Sequence, residues 1–432
     1  MEKPIKTLYK HQFDNLIVSV QIENTIMSPT DLYEIALRIN KKRAFLFVST
    51  VLGKHLPVRP QLPLIASALL AVICYEGETN QKLQEKQILA RALRTKNKRD
   101  TEYAYNIACQ ISLPLPRLTI IGFAETATAL GHGVYDCFLD ATYIHSTREC
   151  VNEEVSLVFE EEHSHATDQR CYAAPHYFKQ QNTIVLVDDE LTTGQTIINI
   201  ITSIEQRYPH KKYIILSLLD WRTEAYQRKM KTFAESKNIT ITCYSLLQGT
   251  VEVEGEIMLP KLTESKKEPP HYKMLQLNRL NKVAYTSYAS DGFENKAPYL
   301  KDTGRFGTKE KSQQLCLKIA EKLAPYVQGK TLVVGTGEFM YFPMKIATYL
   351  GEQIHYQATT RSPIHMYDAP QYPIKNRHMF TAPEDLMINN FIYNLVAYDT
   401  VFIIVERDLP TSRLEHLVTP FYDSTNIYLV TL

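Results

Sequence analysis

At 432 residues the chain is too long for one typical domain and suits two or three, each large enough to bury a core. Its 48 basic and 47 acidic residues leave a net charge of +1, which excludes a global pull toward nucleic acid or an anionic membrane and confines any anion site to a local patch. Seven cysteines, scattered, odd in number and without Cys-x-x-Cys spacing, argue against a disulfide framework or a structural zinc and suit a reducing cytoplasm.

The chain begins Met1-Glu-Lys-Pro-Ile-Lys6, with no apolar signal core. The longest apolar stretch, Ile65 to Tyr75, falls short of the ~20 residues of a spanning helix, so a soluble protein without a membrane partner is expected. Arg43 to Leu52 reads as a strand, Gly53-Lys54-His55-Leu56-Pro57 as a turn and Leu62 to Tyr75 as a buried helix. Glu76 to Tyr105 is polar with a weak stripe at Ile88, Leu89 and Leu93, and is expected to form an exposed helix or insertion covering a site.

From Arg117 strands and helices alternate, which argues a parallel α/β sheet. The predicted strands are Leu118 to Gly122, Asp140 to His145, Thr183 to Val187, Lys212 to Trp221 and Ile239 to Leu247. Thr196 to Tyr208 carries Ile197, Ile200, Ile201 and Ile204 at helical spacing. The charged, proline-bearing stretch from Glu256 is expected to be a linker over 256–290, separating a unit at 1–255 from a second, smaller α/β unit at 291–432.

The sharpest chemical signal lies at 183–196, where a β-branched strand runs into Asp188-Asp189 and then Thr192-Thr193-Gly194-Gln195-Thr196 opens the helix. Carboxylates repel phosphate, so their partners are sugar hydroxyls or a ligand-borne divalent cation. The turn presents backbone N–H groups, hydroxyls and a helix N-terminus, which suit a phosphate monoester. Gly194 lets the backbone approach closely. Together they describe a ribose 5-phosphate site, distinct from a Gly-Lys-Ser/Thr phosphate loop and from Gly-x-Gly-x-x-Gly.

Other segments converge on the same sheet edge. Gly122 ends a strand, and Glu125-Thr126-Ala127 opens the next helix, a second anion cradle that lacks its own cation. Arg148 offers a guanidinium fork for a diphosphate. The loop Phe159 to Asp168 brings His163 and His165, whose spacing fits no zinc motif. Asp220 and Trp221, at another strand end, are candidates to bond and stack a base.

The second half repeats parts of this scheme, with predicted strands at Thr331 to Gly335, Ile354 to Thr359 and Thr400 to Val405 and a helix around Lys345 to Leu350. Gly122-x-x-Glu125 and Thr147-Arg148 find counterparts in Gly335-x-x-Glu338 and Thr360-Arg361, and each glycine lies 26 residues before its arginine. A further anion or small-molecule site is expected at Gly335, Gly337, Glu338, Thr360, Arg361 and Ser362. Aligned with Val187 to Gly194, Val405 to Ser412 sets Arg407 against Asp189 and Ser412 against Gly194. Both a degenerate copy and an unrelated α/β unit fit this pattern.

The 183–196 segment resembles the phosphoribosyl-pyrophosphate (PRPP) signature of type I phosphoribosyltransferases. Together with Gly53-Lys54-His55, Glu162-His-Ser-His165, Gly304-Arg-Phe-Gly307 and Thr360-Arg361-Ser362-Pro363, it makes most of the chain similar to a bacterial two-domain family. There a phosphoribosyltransferase precedes a so-called TRSP domain, in gene clusters linked to tellurite resistance and stress. The resemblance implies a parallel-sheet type I fold, with Asp188 and Asp189 on the ribose hydroxyls and Thr192 to Thr196 on the 5′-phosphate. It also implies pyrophosphate at Glu125, Thr126 and Ala127, a mobile catalytic flap at 159–168 and Mg²⁺ arriving with PRPP. The implied reaction is transfer to a base-like acceptor in making a nucleoside-like metabolite, by a cytoplasmic enzyme for which a homodimer is one assembly. The rival reading is a PRPP- or nucleotide-sensing regulator that has lost transfer.

Overall fold

The computed structural model describes residues 7–38, 43–160, 168–179, 182–259 and 268–432. Among these, a seven-stranded sheet carries the first half, in the spatial order Thr7–Phe13, Leu16–Thr25, Thr240–Glu254, Lys212–Asp220, Thr183–Leu191, Leu118–Gly122 and Ala141–His145. The last five run parallel, and the N-terminal hairpin extends the sheet in antiparallel fashion. Ile184 to Val187 and Tyr213 to Leu216 are buried on both faces, as a sheet covered by helices requires. Connectivity reverses between Leu118–Gly122 and Thr183–Leu191, which opens a crevice at their carboxyl ends.

Local differences from the sequence expectation have packing causes. The strand predicted to end at Val187 continues to Leu191, because Glu190 and Leu191 still pair with Leu219 and Asp220. The stretch 76–105 is not a single cover. It forms the helices Glu85–Thr95 and Lys98–Ala108, which bury Leu89, Ala90, Ala92 and Leu93 and pack on the helix Gln61–Thr79. That helix has 19 residues, enough to cross a membrane by length and composition, yet 83% of its apolar window is buried inside the fold.

The second half builds a five-stranded sheet in the order Lys273–Gln276, Asn426–Thr431, Thr400–Val405, Thr331–Gly335 and Ile354–Ala358. Lys273–Gln276 falls inside the expected linker but pairs with Tyr428 to Thr431, so its backbone groups find partners only in the second sheet. The helix expected at 345–350 runs over Tyr341–Ala347. Strand, helix and strand follow one another in the same spatial order as Leu118–Gly122 through Lys212–Asp220 in the first half. Even the hairpin before the acid-pair strand recurs: Thr147 bridges to Arg170, as Thr360 bridges to Phe391.

Sheet register fixes the correspondence. Gly122 lies opposite Val187 and Gly335 opposite Ile404, so Glu406 occupies the place of Asp189, and Val405 that of Asp188. The sequence alignment, which set Arg407 against Asp189, is one residue out of step. The substituted turn residues hide the shift in one dimension.

The halves are joined by exchanged straps. Val58 and Gly53 bond to Tyr356 and Ala358 on the edge of the second sheet, while Thr308 and Gly304 bond to Tyr143 and His145 on the edge of the first. Both glycines have positive φ, and a Cβ would lie 2.7 Å from the Tyr356 ring at Gly53 and 2.4 Å from the Tyr143 ring at Gly304. One continuous core, including Leu69, Tyr143, Phe342 and Tyr356, crosses the junction.

The residue after each strap glycine is a buried cation. Arg305, 2% exposed, meets Glu338 at 3.0 Å, Glu406 at 3.3 Å and Glu149 at 3.5 Å. Arg305→Met strands these carboxylates and should destabilise the protein by about 3–5 kcal/mol in chemical denaturation. An unchanged midpoint would show that the strap is dispensable to the junction.

Candidate functional site

Asp188 and Asp189 end the buried run of the central strand, where the sheet twists open toward the crevice. The Asp189 N–H donates to Asp188 Oδ1 at 2.9 Å, which fixes the pair's relative orientation. Burial, reinforced by the neighbouring Glu190 charge, pushes Asp189 up to about 6. Glu190 itself is paired with Arg43 at 2.6 Å, and Arg43 lies over the Phe45 ring.

Beyond the strand, Gly194 caps the helix Gln195–Arg207 with φ 80°. A Cβ there would combine a left-handed backbone with a 2.7 Å approach to Met230. The Thr193 hydroxyl accepts from the Gln195 N–H at 3.1 Å, tightening the first turn. The Gln195 side chain bonds Asn199 and Lys229, both at 2.7 Å, so it faces along the helix. Thr192, Thr193, Gly194 and Thr196 are thus brought together at a helix N-terminus beside the acid pair, as a phosphate cup requires.

The second anion turn lies across the crevice. Ala124 N–H donates to Ser146 Oγ at 2.8 Å, and its carbonyl accepts from Gln169 at 2.7 Å, pinning the backbone between two other segments. Thr126 caps the helix Ala127–Asp136. Gly122 is needed for this close approach, since a Cβ would lie 2.4 Å from the Ala127 carbonyl.

The cation missing from this turn comes from the strap. Lys54, 2% exposed, pairs with Glu125 at 2.7 Å, and its charge also acts on Asp189. Burial opposes ionisation of Glu125, but Lys54, Arg361 and Arg148 hold its carboxyl below the ordinary value. Lys54 was visible in sequence only as a turn residue. Its placement depends on pairing with a strand about 300 residues later, for which local sequence carries no signal.

Arg148 is held through its backbone, whose N–H donates to Glu338 Oε1 at 2.8 Å, while Thr147 Oγ1 bonds Glu338 Oε2 at 2.5 Å. The counterpart contact runs the other way, from the Arg361 N–H to Glu125 at 3.5 Å. Gly337, Glu338 and Arg361 line one crevice beside the first turn, with Gly335, Thr360 and Ser362 in the adjoining backbone. Burial opposes ionisation of Glu338, yet Arg305 first among its partners brings it down to about 2.

Other candidates are placed differently. Asp220 is engaged by Arg222 in a bidentate pair at 2.7 and 2.9 Å, and Trp221 stacks on Phe47 at 4.7 Å while meeting Tyr33 edge-on. Both are buried by these partners, so neither presents the open face or carboxylate that base contact requires. His163 and His165 lie outside the described residues. The hairpin that leads to them, Leu157–Glu160 with Asp168–Cys171, rests on the helix Gln195–Arg207, where Asn199 donates to the Glu160 carbonyl at 3.0 Å.

The model of a family described as phosphoribosyl transferase matches residues 32–250, and one described as the TRSP domain C-terminal to it matches residues 302–421. No curated protein matches the chain. Among solved structures, adenine phosphoribosyltransferase of Trypanosoma brucei, in complex with AMP, pyrophosphate and ribose 5-phosphate, is similar at 13% identity and TM-score 0.23, over 30% of this chain and 56% of that one. The chain thus spans little more than half the length of that structure. The Giardia lamblia enzyme complexed with 9-deazaadenine is similar at 18% identity and TM-score 0.22, over 31% and 71% of the two chains. A Staphylococcus aureus hypoxanthine phosphoribosyltransferase shares 10% identity at TM-score 0.20, over 40% and 69%.

Because the folded value of Asp189 stands above the ordinary carboxylate value, its ionised form costs stability, and the cost builds as pH rises from 3.8 and is complete above about 6. Asp189→Asn should therefore stabilise the ligand-free protein at pH 7.5 by on the order of 2 kcal/mol. The gain should shrink by pH 5, as read by urea denaturation at both values. A variant no more stable than the parent at pH 7.5 would remove the burial argument.

Proposed function

The chain belongs to the phosphoribosyl transferase family and carries that family's TRSP domain, and on this premise we propose that its first half moves ribose 5-phosphate from Mg-PRPP to a nitrogenous base or related nucleophile. The observation that carries the reading is the convergence, at neighbouring strand ends, of the acid pair, the Gly194 cup and the Lys54–Glu125 turn with Arg148 alongside. Each suits one part of PRPP: the diol, the 5′-phosphate and the diphosphate.

In this mechanism the bond from the anomeric carbon to the diphosphate oxygen breaks with its electron pair leaving on pyrophosphate. A bond to the acceptor's lone pair forms, and the acceptor's proton passes to solvent. Asp188 and Asp189 accept the ribose hydroxyls and their negative field tempers the oxocarbenium-like charge, while the cup and the Lys54 side hold both anionic ends. The raised Asp189 carboxyl suits a ligand that brings hydroxyl donors and a cation. Mg²⁺, when bound with PRPP, would neutralise the departing diphosphate, with Asp188 and Asp189 the carboxylates nearest to serve it. The acceptor's use in making a nucleoside-like metabolite and a cytoplasmic setting belong to the same proposal.

The test is PRPP-dependent pyrophosphate release across a panel of purine, pyrimidine and pyridine bases. At least one base should support release, and Lys54→Met should lower that rate at least tenfold while the protein still melts cooperatively. Full activity in Lys54→Met would take the strap cation out of the site. Since Asp189 must be ionised to accept two hydroxyls, Mg-PRPP affinity in calorimetry should be constant above pH 7 and fall about tenfold per unit below 6. A flat profile from pH 7.5 to 5 would contradict Asp189 as the diol acceptor.

A further inference from the structure

The second sheet keeps a crevice at the same strand ends, and its chemistry differs from that of the first. The strap cation Arg305 is consumed by Glu149, Glu338 and Glu406, and Arg407 donates to the carbonyls of Ala297 and Asn295 and to Ser287 Oγ. Val405 replaces one aspartate, and the cup glycine is replaced by Pro410 ahead of the helix Thr411–Val418. A pyrophosphorylated sugar phosphate therefore loses its diol pair, its phosphate cup and its lysine here.

What remains is a partly open space of about 50 Å³, room for roughly four waters. Three unsatisfied groups line it. The guanidinium of Arg361 makes no hydrogen bond or ion pair with any described residue. Glu406 Oε1 and Asn390 Oδ1, on residues 7% and 3% exposed, have no hydrogen-bond partner among the described residues. Buried acceptors of this kind cost free energy until a donor reaches them. The lining holds four carboxylates, Glu149, Glu338, Glu384 and Glu406, against the three guanidiniums of Arg305, Arg361 and Arg407.

We propose that this crevice is a second ligand site for a small α-amino acid, with the carboxylate on Arg361 and the ammonium donating to Glu406 Oε1 and Asn390 Oδ1. A zwitterion of about five to seven heavy atoms matches the space, supplies one anion for the free guanidinium and one cation for the carboxylate excess. A polyanion supplies only the first. Burial pushes Glu406 up to about 7 even against Arg305, and burial pushes Glu384 up to about 7 as well, so an arriving ammonium would hold both ionised. The site stands apart from the proposed transfer reaction and does not require it.

Titration calorimetry of the full chain with glycine, L-alanine and L-serine tests the assignment. At least one should bind saturably, L-lactate should bind it at least tenfold more weakly for want of the ammonium, and inorganic phosphate should not displace it. Glu406→Gln should weaken binding at least tenfold. Because Glu406 also bonds Arg305, Asn390→Leu serves as an independent variant, with the same loss expected. Absence of binding by all three amino acids, equal binding of lactate, or undiminished affinity in a folded Glu406→Gln or Asn390→Leu protein would overturn the proposal. Mg-PRPP binding, measured in parallel, reports on the first site alone.

Discussion

The structure depends on two glycine-led straps, each laid on the sheet edge of the opposite half, which carry Lys54 and Arg305 into the junction. Each cation meets the glutamate of its own half's anion turn, and each glutamate also receives a backbone N–H from the other half's Thr-Arg pair. Unpaired carboxylates buried at this depth would each cost several kcal/mol, and the facing half's sheet edge holds in place the strap whose cation neutralises each one. The TRSP unit is therefore part of the wall of the first crevice, and the chain behaves as an internal pseudo-dimer.

This arrangement separates two kinds of buried acid. Glu338 is neutralised in place by Arg305 and stays ionised far below neutrality, which is the behaviour of a structural ion pair. Asp189 is raised instead, because burial and the neighbouring Glu190 charge outweigh the Lys54 cation, which leaves a carboxyl that an arriving hydroxyl donor or cation would stabilise in its ionised form. Glu406, at the corresponding point of the second sheet, is raised likewise although Arg305 touches it. Both crevices thus retain electrostatic cost that bound ligand can relieve, a common trade of stability for function.

Much of this was legible in sequence where periodicity and turn chemistry act locally. The strand Leu118–Gly122, the helix Gln195–Arg207 and the strand Thr331–Gly335 fall where buried apolar runs and helical isoleucine spacing place them. The matched Gly-x-x-Glu and Thr-Arg spacings point to equivalent turns, and these do face one another. Long-range pairing was not legible. Lys54 and Arg305 owe their positions to edge strands far away in the chain, and Lys273–Gln276 reads as linker because its partner lies about 155 residues on. Asp220 and Trp221 read as base contacts for a related reason. Their neighbours Arg222 and Phe47 satisfy them, and a sequence shows the presence of a side chain without showing what occupies it.

The position of the activated sugar is decisive, and a crystal structure of the protein grown with Mg-PRPP reads it out. Ribose hydroxyls are expected on Asp188 and Asp189, the 5′-phosphate within the Thr192–Thr196 turn and the diphosphate against Lys54, Glu125 and Arg148. Density for PRPP in the Arg361 crevice instead, or a fully occupied ligand making no contact with the acid pair, would contradict that placement.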